Sequence, residues 1–135
     1  MNDKTIEQEI QAKGLAAPRV TPDAIEAEIA SECFFNAWDA FTATFDAGKV
    51  VCREFDYDTL RLPPPAASRY EATRCLTFCV LVLRNGFTVT GESACASPEN
   101  FDAEIGRKIA RQNAVQKIWP LLGFRLRDQL AQKEG

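Results

Sequence analysis

The Asn85-Gly86 dipeptide constrains the fold of this chain more than any other feature, because it separates two stretches that each suit a β-strand. The stretch before it contains "TFCVLVL" and the stretch after it reads "FTVTGES", and both are rich in β-branched and aromatic residues. Asn-Gly is the preferred pair for a two-residue type I′ turn, in which both residues have positive φ. The sequence therefore predicts an antiparallel hairpin with this turn at its tip.

A two-residue turn also determines which side chains of the hairpin share a face, because side chains alternate along a strand. One face then carries a purely apolar set, which we predict to be the core: Phe78, Val80, Val82, Phe87 and Val89. The opposite face carries a mixed set, which we expect to be partly covered: Thr77, Cys79, Leu81, Leu83, Thr88, Thr90 and Glu92.

Helix-start signals stand on both sides of the hairpin. Residues 21–23 read Thr-Pro-Asp and residues 97–99 read Ser-Pro-Glu, each with a capping hydroxyl, a proline tolerated in the first turn and an acid at the positive end of the helix dipole. The first signal predicts a helix to about Asp46. The second predicts a helix to about Trp119, where Pro120 kinks or ends it before a short terminal helix.

The first of these helices carries two apolar stripes. One stripe has spacings of three and four and consists of Ala27, Ala30, Phe34, Trp38, Phe41 and Phe45. Ile25 and Ile29 lie on nearly the opposite side. Two interpretations stay open: the helix breaks near Ser31, or it is covered on both sides.

The remaining segments complete an α+β fold. "KVVCREFDYD", residues 49–58, reads as a strand, and the prolines of "LPPPAAS" require an extended linker, although residues 46–74 could hold one strand or two. We predict a single domain over residues 21–135, preceded by an N-terminal arm over residues 1–20. The domain contains a small three-stranded antiparallel sheet with a central Asn-Gly hairpin, packed by long helices in the order α-β-β-β-α-α.

Composition argues against an enzyme. The chain has no histidine, so a cysteine or serine nucleophile would lack its usual base, and the five cysteines have irregular spacing that does not suit a metal site. We expect reduced core thiols, no catalytic residue, no metal and no cofactor. The joint "GESACAS", residues 91–97, is interpreted as a strand-to-helix corner in which Gly91 permits close backbone approach, Cys95 packs and Ser97 caps the helix.

Charge is distributed unevenly along the chain. Residues 1–60 hold 12 acids and 5 bases, whereas residues 105–135 hold 2 acids and 7 bases. Such a gradient can hold helices together within one molecule or between copies. The polar, acidic N-terminus and the lack of any apolar run near ~20 residues predict a cytoplasmic protein without a membrane partner.

Two stretches resemble a known family. "TFCVLVLRNGFTVTGESACASPENFDAEIGRKIARQNAVQKIW" and "TPDAIEAEIASE" are similar to a family of small phage and prophage proteins grouped around an N4 phage product and an Sf6 phage product. The resemblance implies an accessory protein that acts in the cytosol of the bacterial host. It supplies no activity and no site residues.

Three functions follow as hypotheses, and the first is our prediction: a non-enzymatic protein-interaction module that binds a host protein and modifies a host process or defence. The second is binding or sequestration of a small nucleotide, with phosphate contacts from Arg107, Lys108 and Arg111 and stacking on Trp119. The third is double-stranded nucleic-acid binding through the basic last helices, by analogy with domains that also run helix, three strands, helix.

We also predict self-association as a homodimer or larger assembly. The helix that follows the hairpin has Phe101, Ile105 and Ile109 on one side and Ala110, Ala114 and Ile118 on roughly the other. One small sheet covers only one side of a helix, and an exposed second apolar stripe often marks an interface.

Overall fold

The computed structural model describes residues 2–51 and 70–134 of the chain. In chain order its elements are helix α1 (Asp3–Ala12), helix α2 (Pro22–Glu28), strand β1 (Ile29–Asn36), helix α3 (Ala37–Asp46), a 3₁₀ segment (Glu71–Cys75), strands β2 (Leu76–Leu83) and β3 (Thr88–Ala94), a second 3₁₀ segment (Pro98–Asn100), helix α4 (Ala103–Gln116) and helix α5 (Ile118–Glu134). The strands form one antiparallel sheet in the order β1-β2-β3. The α+β class and the three-stranded sheet are therefore confirmed.

The first strand of this sheet is not the predicted one. The uninterrupted helix expected over residues 21–46 is wrong, and the alternative of a break near Ser31 is confirmed, because Ile29–Asn36 pairs with β2 and separates α2 from α3. The segment "SECFFN" contains weak helix formers, and the exposed edge of β2 offers it a complete set of backbone hydrogen-bond partners. Because this strand divides the predicted helix into α2 and α3, the element order also differs from the predicted one. Residues 52–58 of the strand predicted over 49–58 lie outside the described residues.

This strand resolves the conflict between the two apolar stripes. Ile25 lies in α2 and is buried in the core, while Ile29 and Phe34 pack against that core from β1. Neither isoleucine belongs to an exposed second stripe. Trp38, Phe41 and Phe45 form a separate aromatic row along α3, in which the Phe41 ring stacks on Tyr70.

The hairpin is confirmed, but its turn differs from the predicted one. Gly86 has a φ of 88° and Asn85 does not have a positive φ, so the type I′ turn is wrong. The Leu83 amide bonds the Phe87 carbonyl at 2.8 Å, and the Gly86 amide bonds the Leu83 carbonyl at 2.9 Å. This pattern is typical of a three-residue loop in which a type I turn precedes a left-handed glycine. The Asn85 side-chain oxygen supports the loop by accepting a hydrogen bond of 2.9 Å from the Phe87 amide.

The extra loop residue shifts the register by one and exchanges the two faces of β2. Leu81 pairs with Val89 and Val80 pairs with Thr90. The buried face is the one that was expected to be mixed: Thr77, Cys79, Leu81 and Leu83, together with Val89 and Gly91. The predicted core face was therefore wrong, since Phe78, Val80 and Val82 are only half-buried and Phe87 is 54% exposed.

Helix α4 covers the buried face through small residues. Gly106, Ala110 and Ala114 recur every four residues and are all buried, and the same row continues into α5 with Ile118 and Leu122. The opposite side keeps Ile105 at 55% and Ile109 at 42% exposure. The predicted sidedness of this helix is therefore confirmed.

The ends of α4 both differ from the sequence-based expectation. Ser97 makes no side-chain cap, and the helix instead begins after Asp102, whose carboxylate accepts a hydrogen bond of 3.0 Å from the Ile105 amide. The ring of Phe101, just before this cap, lies close to Gly106 in α4 and so packs on the start of the helix. At the other end α4 stops at Gln116, and Pro120 falls in the first turn of α5, where its missing amide costs little. None of the described helices is long and apolar enough to span a membrane.

Candidate functional site

Arg111, one of the predicted contact residues, is occupied by an internal ion-pair cluster. Its Nη1 and Nη2 donate to the two carboxylate oxygens of Glu26 at 3.1 and 2.7 Å, and its Nε donates to Glu32 at 2.6 Å. Hydrogen bonding to Arg111 is the main cause that lowers the pKa of Glu26, and the two carboxylates raise the pKa of Arg111. Arg111 therefore joins α4 to α2 and β1, and three of its five N–H donors are already used within the fold.

Trp119 is also used within the fold. Its indole nitrogen donates to Asp3 at 3.1 Å, and Gln116 donates to the same carboxylate oxygen. The ring lines a small cavity of about 180 Å³ between α1 and the chain just before α2, with Ile6 and Ile10 among its walls. Trp119 thus serves as a docking point for the N-terminal helix.

A second ion pair shows the same use of charge. Arg125 of α5 binds Glu28 of α2 at 2.7 Å, and this contact lowers the pKa of the glutamate. Together with the Arg111 cluster, it pairs bases of the last third of the chain with acids of the first half. The charge gradient along the sequence is therefore used, at these sites, to hold helices together within one molecule.

The other two predicted contact residues are exposed and adjacent but have different surroundings. Lys108 lies in solvent and pairs with Glu104, one turn earlier, at 3.4 Å. Arg107 makes no ion pair or hydrogen bond through its guanidinium with any described residue, and it borders a cavity. The structure therefore does not bring the four predicted residues into one site, and Arg107 is the one that meets a concave surface.

This cavity measures about 440 Å³ and lies where the end of β1, the start of α3 and the first turns of α4 meet. We call it the β1–α4 cavity, and its walls are Phe34, Phe35, Asn36, Asp39, Thr77, Phe101, Ala103 and Arg107. Sequence reasoning missed it because its walls come from three distant segments. The Asn36 side chain, which caps α3 and donates to the Arg74 carbonyl at 2.7 Å, holds this corner together.

The second notable surface is the face of the sheet opposite α4, which we call the outer face. The cross-strand pairs Phe35–Phe78 and Cys33–Val80 place four apolar side chains on it, and the two rings are 5.7 Å apart. Phe35 is 41% exposed and Cys33 is exposed. Polar residues of β3 border this apolar area: Thr88, Thr90 and Glu92, all exposed.

The family model described as the phage protein (N4 Gp49/phage Sf6 gene 66) family matches residues 20–130. The chain belongs to this family. The match confirms the resemblance seen in the hairpin and in the segment that begins at Thr21. No curated protein and no solved structure is matched.

In this N4 Gp49/Sf6 gene 66 family protein, the joint after β3 is a packed corner. The Cys95 amide donates to the Cys75 carbonyl at 3.1 Å, and its thiol lies 3.1 Å from the Ser97 carbonyl oxygen as a donor. Gly91 approaches α4 so closely that the predicted backbone contact is confirmed. These contacts give Cys95 a structural environment.

The cysteines of the family protein are only partly the expected core thiols. Cys75 and Cys79 are buried, and burial raises the pKa of the Cys79 thiol, which keeps it protonated. Cys33, however, is exposed on the outer face, so the core assignment was wrong there. Cys52 lies outside the described residues.

Proposed function

We propose that this phage family protein is a non-enzymatic interaction module that binds a host protein through the outer face of its sheet. The observation that carries the proposal is the placement of Phe35, Phe78, Val80 and Cys33 on the face opposite α4. Apolar side chains gathered on an accessible surface favour protein contacts. As a phage product, such a module would act in the bacterial cytoplasm and modify a host process.

The layout of the outer face supports this function. Its apolar centre lies on β1 and β2, and its polar border lies on β3. Protein interfaces commonly combine an apolar centre with a polar, accessible rim. The adjacent Phe35 and Phe78 rings would supply the aromatic anchors that contribute most to binding energy at such interfaces.

The double-stranded nucleic-acid hypothesis receives less support from the same structure. Arg111 and Arg125, which would contribute to a basic helical surface, are bound by carboxylates of α2 and β1. The start of α4, where such domains need cations, carries Asp102 as its cap and Glu104 in its first turn. We therefore do not propose this function.

Site-specific photo-crosslinking tests the interaction proposal. A photoreactive phenylalanine analogue would replace Thr90 on the outer face, or exposed Lys133 in α5 as the control, and each tagged protein would be expressed in the bacterial host. We expect a discrete protein adduct from position 90 and none from position 133. Mass spectrometry of the adduct would identify the partner.

A second variant makes the test specific to the apolar centre. Phe35→Ser should abolish the position-90 adduct while the far-ultraviolet circular dichroism spectrum and the cooperative melt are retained. An equal adduct yield from both crosslinker positions, or no adduct from position 90, would contradict the proposal.

A further inference from the structure

We infer that the β1–α4 cavity binds a purine mononucleotide, with the Arg107 guanidinium on the phosphate and the base between apolar walls. Phe35 belongs both to the wall of this cavity and to the outer face, but the groups proposed here to contact the nucleotide lie outside that face, and the inference does not depend on the proposed protein interaction. Its volume of about 440 Å³ falls within the range of small-molecule pockets, roughly 300–1,000 Å³.

Arg107 is the first element of the site. It lies one turn before Arg111 in α4, and residues four apart on a helix share a side. Arg111 is satisfied by Glu26 and Glu32, whereas no carboxylate of the described chain pairs with Arg107. An unpaired guanidinium at the mouth of a cavity is suited to bidentate binding of a phosphate.

Thr77 is the second element and is independent of charge. It is only 4% exposed and is the one buried polar side chain found in the described ranges. It lines the β1–α4 cavity, where its hydroxyl is the polar group that β2 contributes to an otherwise largely apolar wall. A polar atom of a bound ligand would pair with this hydroxyl.

The remaining walls define the rest of the ligand. Phe34, Phe101 and Ala103 provide apolar surface for a planar ring. Asp39 lines the cavity from α3, whereas Arg107 lines it from α4, and no described group pairs with the Asp39 carboxylate. A carboxylate accepts two parallel hydrogen bonds, and guanine presents two adjacent donors on one edge. The cavity therefore favours a guanine nucleotide over an adenine nucleotide.

Isothermal titration of the full chain with guanosine monophosphate, adenosine monophosphate and inorganic phosphate tests the site. We expect guanosine monophosphate to bind most tightly. Arg107→Gln should weaken both nucleotides ~10- to 100-fold, because it removes a charge-assisted contact. Lys108→Gln is the matched control, since it makes the same change on the neighbouring residue, which does not line the cavity.

Two further variants separate the roles of the other groups. Asp39→Asn should reduce the preference for guanine over adenine and leave the affinity for adenosine monophosphate nearly unchanged. Thr77→Val should weaken nucleotide binding several-fold while a cooperative melt is retained, because valine removes the hydroxyl at nearly constant shape.

Several results would overturn the inference. One is the absence of nucleotide binding at millimolar concentration by a chain with a normal cooperative melt. Another is equal loss of binding in Arg107→Gln and Lys108→Gln. Inorganic phosphate that binds as tightly as the nucleotides would show that the cavity does not recognise the base. Absence of the outer-face adduct from the chain with an intact Phe35 would leave the nucleotide result unaffected, so the two proposals fail separately.

Discussion

Gly91→Ala should destabilise the protein strongly although it adds only one methyl group. A β-carbon at Gly91 would lie 2.1 Å from the Ala110 carbonyl oxygen and 2.3 Å from the Ala114 amide nitrogen, both backbone atoms of α4. No rotamer change can relieve contacts with backbone. Ordinary contact begins near 3.4 Å, so α4 would have to move from the sheet by about 1 Å.

That displacement determines the magnitude of the effect. Ala110 and Ala114 are fully buried against Cys79 and Leu81, and a shift of α4 would loosen this whole layer. Overpacking of a core costs about 1–3 kcal/mol, and we expect ~3 kcal/mol here because the obstruction is rigid. For a domain of this size the melting temperature should fall by roughly 10 °C.

Thermal and urea unfolding followed by circular dichroism would measure this change. Gly123→Ala is the matched control, because a β-carbon there meets nothing within 4 Å and alanine favours the helix α5 in which it lies. The control should be neutral or more stable by up to about 1 kcal/mol. A Gly91→Ala protein that melts within ~2 °C of the wild type would refute the close packing of α4 on β3.

Three other predictions follow from separate parts of the fold. Gly86→Ala should cost about 1–2 kcal/mol in urea unfolding because its φ is 88°, and unchanged stability would contradict the three-residue loop. Arg111→Gln should lower the free energy of unfolding at pH 7 by about 1 kcal/mol. The effect is this small because Arg111 and Glu26 are both partly exposed, and exposed ion pairs contribute little. Because Arg111 lowers the folded-state pKa of Glu26 below 4.5, that contribution is present above pH 4.5 and is lost as pH falls through the lowered pKa. Urea titrations of both proteins at pH 7 and pH 3 should therefore show the gap closing in acid, and an equal gap at both values would exclude the linkage. Finally, we predict that the protein self-associates through the exposed apolar side of α4. Light scattering at tens of micromolar protein should give a mass of at least twice 15.0 kDa, and Ile109→Lys should reduce that mass to one chain. A wild-type mass of one chain would rule out self-association.

Features that depend on a few neighbouring residues were predictable from the sequence. Thr21 caps α2 as expected, and its hydroxyl accepts a hydrogen bond of 3.1 Å from the Ala24 amide. The hairpin forms where Asn85-Gly86 interrupts two β-prone stretches, and Gly91 permits the close approach of a helix. In each case the responsible interaction spans only a few residues or follows from the absence of a side chain.

Features that depend on partners distant in the chain were decided only by the tertiary structure. Residues 29–36 have an apolar spacing compatible with a helix, but the unpaired edge of β2 makes them a strand. One additional residue in the hairpin loop, stabilised by the Asn85 side chain, moves Leu81 to the core and Val80 to the outer face. The β1–α4 cavity likewise exists only because Thr77, Asp39 and Arg107 come together from three elements. Local propensity cannot specify these outcomes, since backbone pairing and register are determined by which segments meet in the folded chain.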